Sequence, residues 1–213
     1  MAVPPPRVLF IASFPPRERG IASFTQDLVM NYAALSGSRV DVIAAANAGL
    51  RETLAYRVVG HIDGAHPQSY YDAAARANRD PYDVVNIQHE YRSFGGDAGE
   101  WCIGFMRALR KPVVLSLHTI VSHPGAKHAT LVRALCNAAA KVVVLGRGAR
   151  RLLIAEYGVD PLKIKAILCD LPDAPGGLRV ARTHAVLFKA VRSWNVVRTL
   201  PLMTPVSLPN LAV

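Results

Sequence analysis

Short apolar runs rich in Val and Ile, each separated from the next by a segment of helical period, constrain this chain more than any other feature. Strands of that composition are buried on both faces, and their alternation with amphipathic helices is the pattern of a parallel sheet covered on both sides. RVLFIAS (7–13), RVDVIAA (39–45), YDVVNIQ (82–88), PVVLSLH (112–118) and KVVVLG (141–146) read as strands, with YRVVG (56–60) and KIKAIL (163–168) as weaker candidates. Ile21, Phe24, Leu28 and Tyr32 share one helical face that stops near Ser36 and Gly37, and further helices are expected within 69–79, 99–110, 126–140 and 147–158. Crossovers between parallel strands are right-handed. The expected fold is therefore α/β: a doubly wound, mostly parallel Rossmann-like sheet with helices on both faces.

The 213 residues suffice for one or two domains with a sizeable core, and 51% apolar against 19% charged residues is a globular balance. A net charge of +10 invites nucleic acid or an anionic membrane, but its distribution argues otherwise. Every acidic residue lies at or before Asp173, and the last 40 residues carry five basic residues and no acidic one. Two parts follow: a domain over 1–173 and an irregular basic tail over 174–213, which shows no sustained period of either kind. The charge lacks interleaved aromatic residues, so no nucleic-acid partner is expected. Cys102, Cys136 and Cys169 are too few and too far apart for a disulfide framework or a CxxC metal knuckle. The start, MAVPPPRVLFIAS, reads as a first strand and not as a signal peptide, and no apolar stretch is long enough to span a bilayer. The expected location is the cytoplasm, with at most a peripheral contact at the inner membrane face.

Four groups of polar residues fall at the carboxyl ends of expected strands, which is where open α/β sheets bind ligands. The first is FPPRERGIASF (14–24), where Gly20 precedes a helix whose first N–H groups are unpaired, and Arg17 and Arg19 could add charge-assisted bonds. It is either an anion site or a plain turn, and it is neither GxGxxG nor a Walker loop. The second is IQHEYRSFGGDAGEW (87–101): His89 and Glu90 emerge as a strand ends, a Gly-Gly turn follows, and Asp97 is a reasonable N-cap. It reads as a substrate contact or as a surface loop with a capped helix. The third is His118 at the end of PVVLSLH, alternatively a hydrogen-bonded polar residue with no ligand; His118, His123 and His128 recur at five-residue intervals, a spacing that does not suit a metal. The fourth is RGARRLLIAEYG (147–158), a core helix with a solvated basic face or a contact for anionic lipid.

Five segments, in order over roughly residues 7–168, resemble GT-B glycosyltransferases of family four: RVLFIASFPPRERGIASFTQDL, YDVVNIQHEYRSFGG, LRKPVVLSLHTIVSHP, AAAKVVVLGRGARRLL and YGVDPLKI. The resemblance implies two Rossmann-like domains facing across a cleft, of which this chain supplies the N-terminal, acceptor-side one. It implies retaining transfer of a sugar from a nucleotide-diphosphate sugar, a co-substrate, to a glycan or lipid-linked acceptor in cell-surface glycan assembly, with no cofactor and no metal. By the same resemblance Gly20 faces the donor diphosphate, where Arg19 beside it in sequence would add a charge-assisted bond, His118 is the catalytic-centre residue beside the donor sugar, and His89 and Glu90 take an acceptor or cleft role.

The pattern then breaks. Where the family continues with a segment like VIPHGVPD, this chain has AILCDLPDAPGG, with Cys169 and Asp170 in place of His-Gly. The glutamate pair of the donor domain has no counterpart, since no acidic residue follows Asp173. A truncation or frameshift near residues 168–175 is the expectation. It carries an alternative function, a non-catalytic Rossmann-like binding module or the partner of a separate donor-domain chain acting in trans.

Overall fold

In the computed structural model, which describes residues 4–15, 20–45, 52–91 and 93–167, all seven expected strands form, the two weaker candidates included. In chain order the elements are β1 (Val8–Ser13), α1 (Ile21–Ser36), β2 (Val40–Ala45), β3 (Tyr56–Ile62), α2 (Gln68–Arg79), β4 (Val84–His89), α3 (Trp101–Ala108), β5 (Val113–Leu117), α4 (Ala126–Ala138), β6 (Lys141–Val144), α5 (Arg147–Ala155) and β7 (Ile164–Ala166). They build one sheet of order β3-β2-β1-β4-β5-β6-β7, parallel throughout. The chain winds outward from β1 to β3, returns to β4 beside β1, and winds outward again to β7. The switch point of this α/β fold is the boundary between β1 and β4.

Alternate strand residues supply two cores. Leu9, Ile11, Val85, Ile87, Leu115 and Leu117 pack with α2, α3, α4 and α5, whose Ala74, Phe105, Leu135 and Leu153 meet them. On the opposite face Phe10, Val42, Val84 and Val114 pack with Leu28, Val29 and Tyr32 of α1. α1 stops where Gly37 takes a left-handed φ of 64°, the residue that stop requires.

In α5 only Leu153 is fully buried, while Arg147 and Arg151 are exposed, so this helix is a core element with a solvated basic face. Among the described residues no helix is long and apolar enough to cross a membrane. Arg17, Arg19 and the whole of the 174–213 tail lie outside the described residues.

Candidate functional site

Burying a polar side chain is costly unless it is bonded, so where a fold tolerates several together is informative. Among the described residues the buried polar side chains are Ser13, Thr25, Asn86, Gln88, His89, Ser93 and Ser116. Apart from Thr25 of α1, they belong to the end of β1, to β4 and the loop after it, and to β5. They collect at the switch point.

The side chains there are tied across the strands. Ser13 at the end of β1 shares a hydrogen bond of 2.7 Å with Ser93 in the loop after β4. Asn86 and Gln88 point to the same face of β4, and Ser116 on β5 lies beside them. The Gln88 amide donates to Asn86 Oδ1 and, at 3.1 Å, to Ser116 Oγ. His118, the first residue after β5, has its Nε2 2.7 Å from Gln88 Oε1. The ring of Phe24, one turn into α1, meets the imidazole edge to face at 5.1 Å. Burial holds the His118 imidazole well below its usual range, at about 4, against a smaller opposing pull from Glu90. The ring is neutral at physiological pH.

Gly20 forms the entry to α1 with φ 67° and ψ −128°, a conformation that a side chain would strain, and the space beside its Cα is open. No acidic residue in the first turn offsets the partial positive charge of the helix start. Phe24 N–H donates to Gly20 O, so the same short segment places the glycine and the ring that touches His118.

His89 corrects one expectation. It does not emerge from the sheet: it is the last residue of β4, 1% exposed, and its ring stacks on Phe94 at 5.4 Å on the face opposite His118. The strand runs one residue further than expected, and period-two alternation then turns His89 inward while its neighbours Gln88 and Glu90 face the other way. Its Nε2 is buried without a partner. Burial, with smaller contributions from His118 and His128, lowers its pKa to about 4. The backbone still links the two histidines, since His118 N–H donates to His89 O at 3.3 Å. Glu90 sits at the opening, its Oε2 accepting from Thr119 Oγ1 at 2.8 Å. The structure therefore sets Glu90 within electrostatic reach of His118, links Gly20 to His118 through Phe24, and turns His89 to the other face of the sheet.

The loop from 93 to 100 is held by its glycines. A Cβ on Gly95 would lie 2.3 Å from Gly64 O and 2.4 Å from the Trp101 ring, and its N–H donates to Tyr70 Oη at 2.6 Å. Here too an expectation is corrected: Asp97 is not the N-cap of α3, which begins at Trp101 after Glu100. The Glu100 carboxylate instead reaches back to accept from Asp97 N–H and Ala98 N–H at 3.1 and 2.9 Å, and Asp97 pairs with Lys127. The Gly-Gly turn consumes more chain than the sequence suggested, delaying the helix by about a turn.

Sequence reasoning missed Gln88, Asn86, Ser116 and Phe24. A signal was present: Asn86 and Gln88 stand two apart within a buried run, and Ser116 and His118 repeat that spacing one strand later. No group of three or more His, Cys, Asp or Glu side chains among the described residues is placed to hold a metal, and His118, His123 and His128 do not converge on one. Two other hollows are chemically different. One, of about 420 Å³ at the amino ends of the strands, is lined by Arg7, Tyr32, Asp41, Arg57 and Tyr82. Another, of about 520 Å³ at the sheet edge, is lined by Arg147, Arg150, Arg151 and Lys165 with β7.

A doubly wound parallel sheet of this strand order, covered by helices, is a Rossmann-like domain. Comparison with known proteins narrows the class. The model of Glycosyltransferase Family 4 matches residues 19–169, most of the chain, and the protein belongs to that family. A sucrose-phosphate synthase from Thermosynechococcus elongatus shares the fold, with a TM-score of 0.58 at 12% identity over 87% of this chain and 98% of that one. A glycosyltransferase from Rickettsia africae aligns with a TM-score of 0.52 at 14% identity over 76% of this chain, which spans only 43% of the Rickettsia protein. No curated protein sequence matches the chain directly.

Proposed function

We propose that the chain is the acceptor-side domain of a retaining glycosyltransferase, which moves a sugar from a nucleotide-diphosphate donor to a glycan or lipid-linked acceptor. The observation that carries this reading is the gathering of buried polar side chains at the β1–β4 switch point, in a member of a glycosyltransferase family. Departure of a nucleotide diphosphate builds negative charge on its oxygens, and preorganised N–H donors at a helix start can stabilise that charge without a metal. Gly20 lets such a group approach the start of α1, and Arg19 would add a cation beside it. His118 contacts the donor sugar by hydrogen bonding and positions it, with no proton transfer. Glu90 takes the acceptor side of the opening, and His89 supports it from below.

The test is calorimetry on the full chain with UDP-glucose and GDP-mannose, paired with a sugar-release assay, for the wild type and for His118→Ala. Micromolar binding with turnover, both lost in His118→Ala, supports the reading. Millimolar or absent binding without turnover overturns catalysis by this chain and leaves the binding-module alternative.

A further inference from the structure

The row Asn86, Gln88, Ser116 and His118 does more than satisfy buried groups. Gln88 uses both halves of its amide: the NH2 donates to Asn86 Oδ1 and Ser116 Oγ, and the carbonyl oxygen is turned toward His118. A carbonyl oxygen only accepts. At 2.7 Å from Gln88 Oε1, His118 Nε2 must carry the proton of that bond, and a neutral imidazole has only one. Its Nδ1 is then a bare acceptor, and it is not among the buried partnerless atoms of the domain. We propose that Gln88 is a positioning residue that locks His118 in the Nε2–H tautomer, so that Nδ1 accepts a hydrogen bond from an O–H or N–H donor of the bound ligand and cannot donate to a phosphate oxygen.

The lock is specific because the other faces of the ring are committed. Phe24 packs edge-on against it, and the backbone N–H of His118 is held by His89 O. Gln88 itself is fully buried, so its amide cannot turn over alone without setting two oxygens against each other at Asn86. Only a concerted reversal of both amides would move the proton to Nδ1, which makes the imidazole its own reporter. The ligand consequence rests on His118 facing the ligand as proposed above; the tautomer is read without any ligand.

The experiment is long-range 1H–15N NMR of the histidine rings in the full chain near pH 7.5. The expected spectrum shows His118 with a protonated Nε2 and an unprotonated Nδ1, and in Gln88→Leu that single-tautomer signature is lost to a mixture. A wild-type ring that is Nδ1–H or averaged between the two forms overturns the proposal, as does an unchanged ring in Gln88→Leu. Should Gln88→Leu fail to fold, Ser116→Ala, which frees one of the two anchors of the amide, is expected to weaken the lock, and an unaltered ring there counts against it. Titration with UDP-glucose separates the two readings: a pure Nε2–H ring that the ligand never perturbs leaves the lock standing and removes the ligand-facing role.

Discussion

The two ends of the sheet solve opposite problems. At the amino ends of the strands a connected set of charges is paired off: Arg57 donates to both Asp41 oxygens at 2.9 and 2.8 Å, Tyr82 Oη donates to Asp41 at 2.7 Å, and Arg7 pairs with Asp83. Toward the carboxyl ends the polar groups are buried deeper and tied across the strands through Gln88, and His118, half-buried at their end, spends one ring nitrogen on Gln88 and keeps the other outside the set of buried partnerless atoms. A groove lies at the amino end as well, but its groups are already spent on one another. The difference teaches that a hollow is not a site: unsatisfied, preorganised polar atoms are what a ligand can complete.

Acid should separate the two ends most strongly. His89 and His118 are held neutral in the fold at a pKa of about 4 by burial, whereas the unfolded chain protonates them near the ordinary value of 6.5. Between those values the unfolded state binds more protons, so stability is full above about pH 6.5 and falls as pH drops toward 4, by on the order of 3 kcal/mol for each imidazole. Urea unfolding across that window reads it, and His89→Phe, which keeps the stack on Phe94, should remove about half of the slope. The amino end responds later. Burial pushes the Asp41 carboxyl up, but the bonds from Arg57 and Tyr82 and the charges of Arg57 and Arg39 outweigh it, and the net pKa lies below the ordinary 3.8. Its contribution is present above that value and is lost only as pH falls through the lowered pKa. A protein equally stable at pH 4.5 and 7.5 would break the contrast.

Gly95→Ala comes next, because the new methyl meets backbone at Gly64 and a ring at Trp101; a loss of about 3 kcal/mol is expected in chemical denaturation. Asp41→Ala strands the Tyr82 hydroxyl and a half-exposed guanidinium, for a loss of about 1 to 2 kcal/mol. The smallest effect is Tyr82→Phe, about 1 kcal/mol by the same measurement, and it should leave ligand binding at the other end untouched.

Much of this architecture was legible from the residues. Valine-rich runs such as PVVLSLH announce a strand buried on both faces, and β7 was visible as KIKAIL despite spanning only Ile164–Ala166. The resemblance singled out Gly20, Arg19, His89, Glu90 and His118; of these the structure describes Gly20 at the start of α1 and Glu90 and His118 after β4 and β5, while His89 is turned inside and Arg19 lies outside the described residues. What escaped was set by parity and by loop length. A strand longer by one residue sends His89 inward, and a turn tightened by Gly95 postpones α3 past Asp97. Gln88 looked like one more residue of an apolar run, because its significance depends on β5 lying alongside, a relation of residues 28 apart. Local pattern carries the elements; the pairing of strands carries the site.

The central claim is that the ligand completes the carboxyl end of the sheet at the β1–β4 boundary. Backbone 1H–15N NMR of the full chain during titration with UDP-glucose and GDP-mannose tests it most directly, since shifts register even millimolar binding. The account predicts saturable changes concentrated at Gly20, Phe24, Glu90, His118 and Thr119, abolished in His118→Ala and preserved in Tyr82→Phe. Changes centred on Arg57 and Tyr82, or none up to saturating ligand, would contradict it.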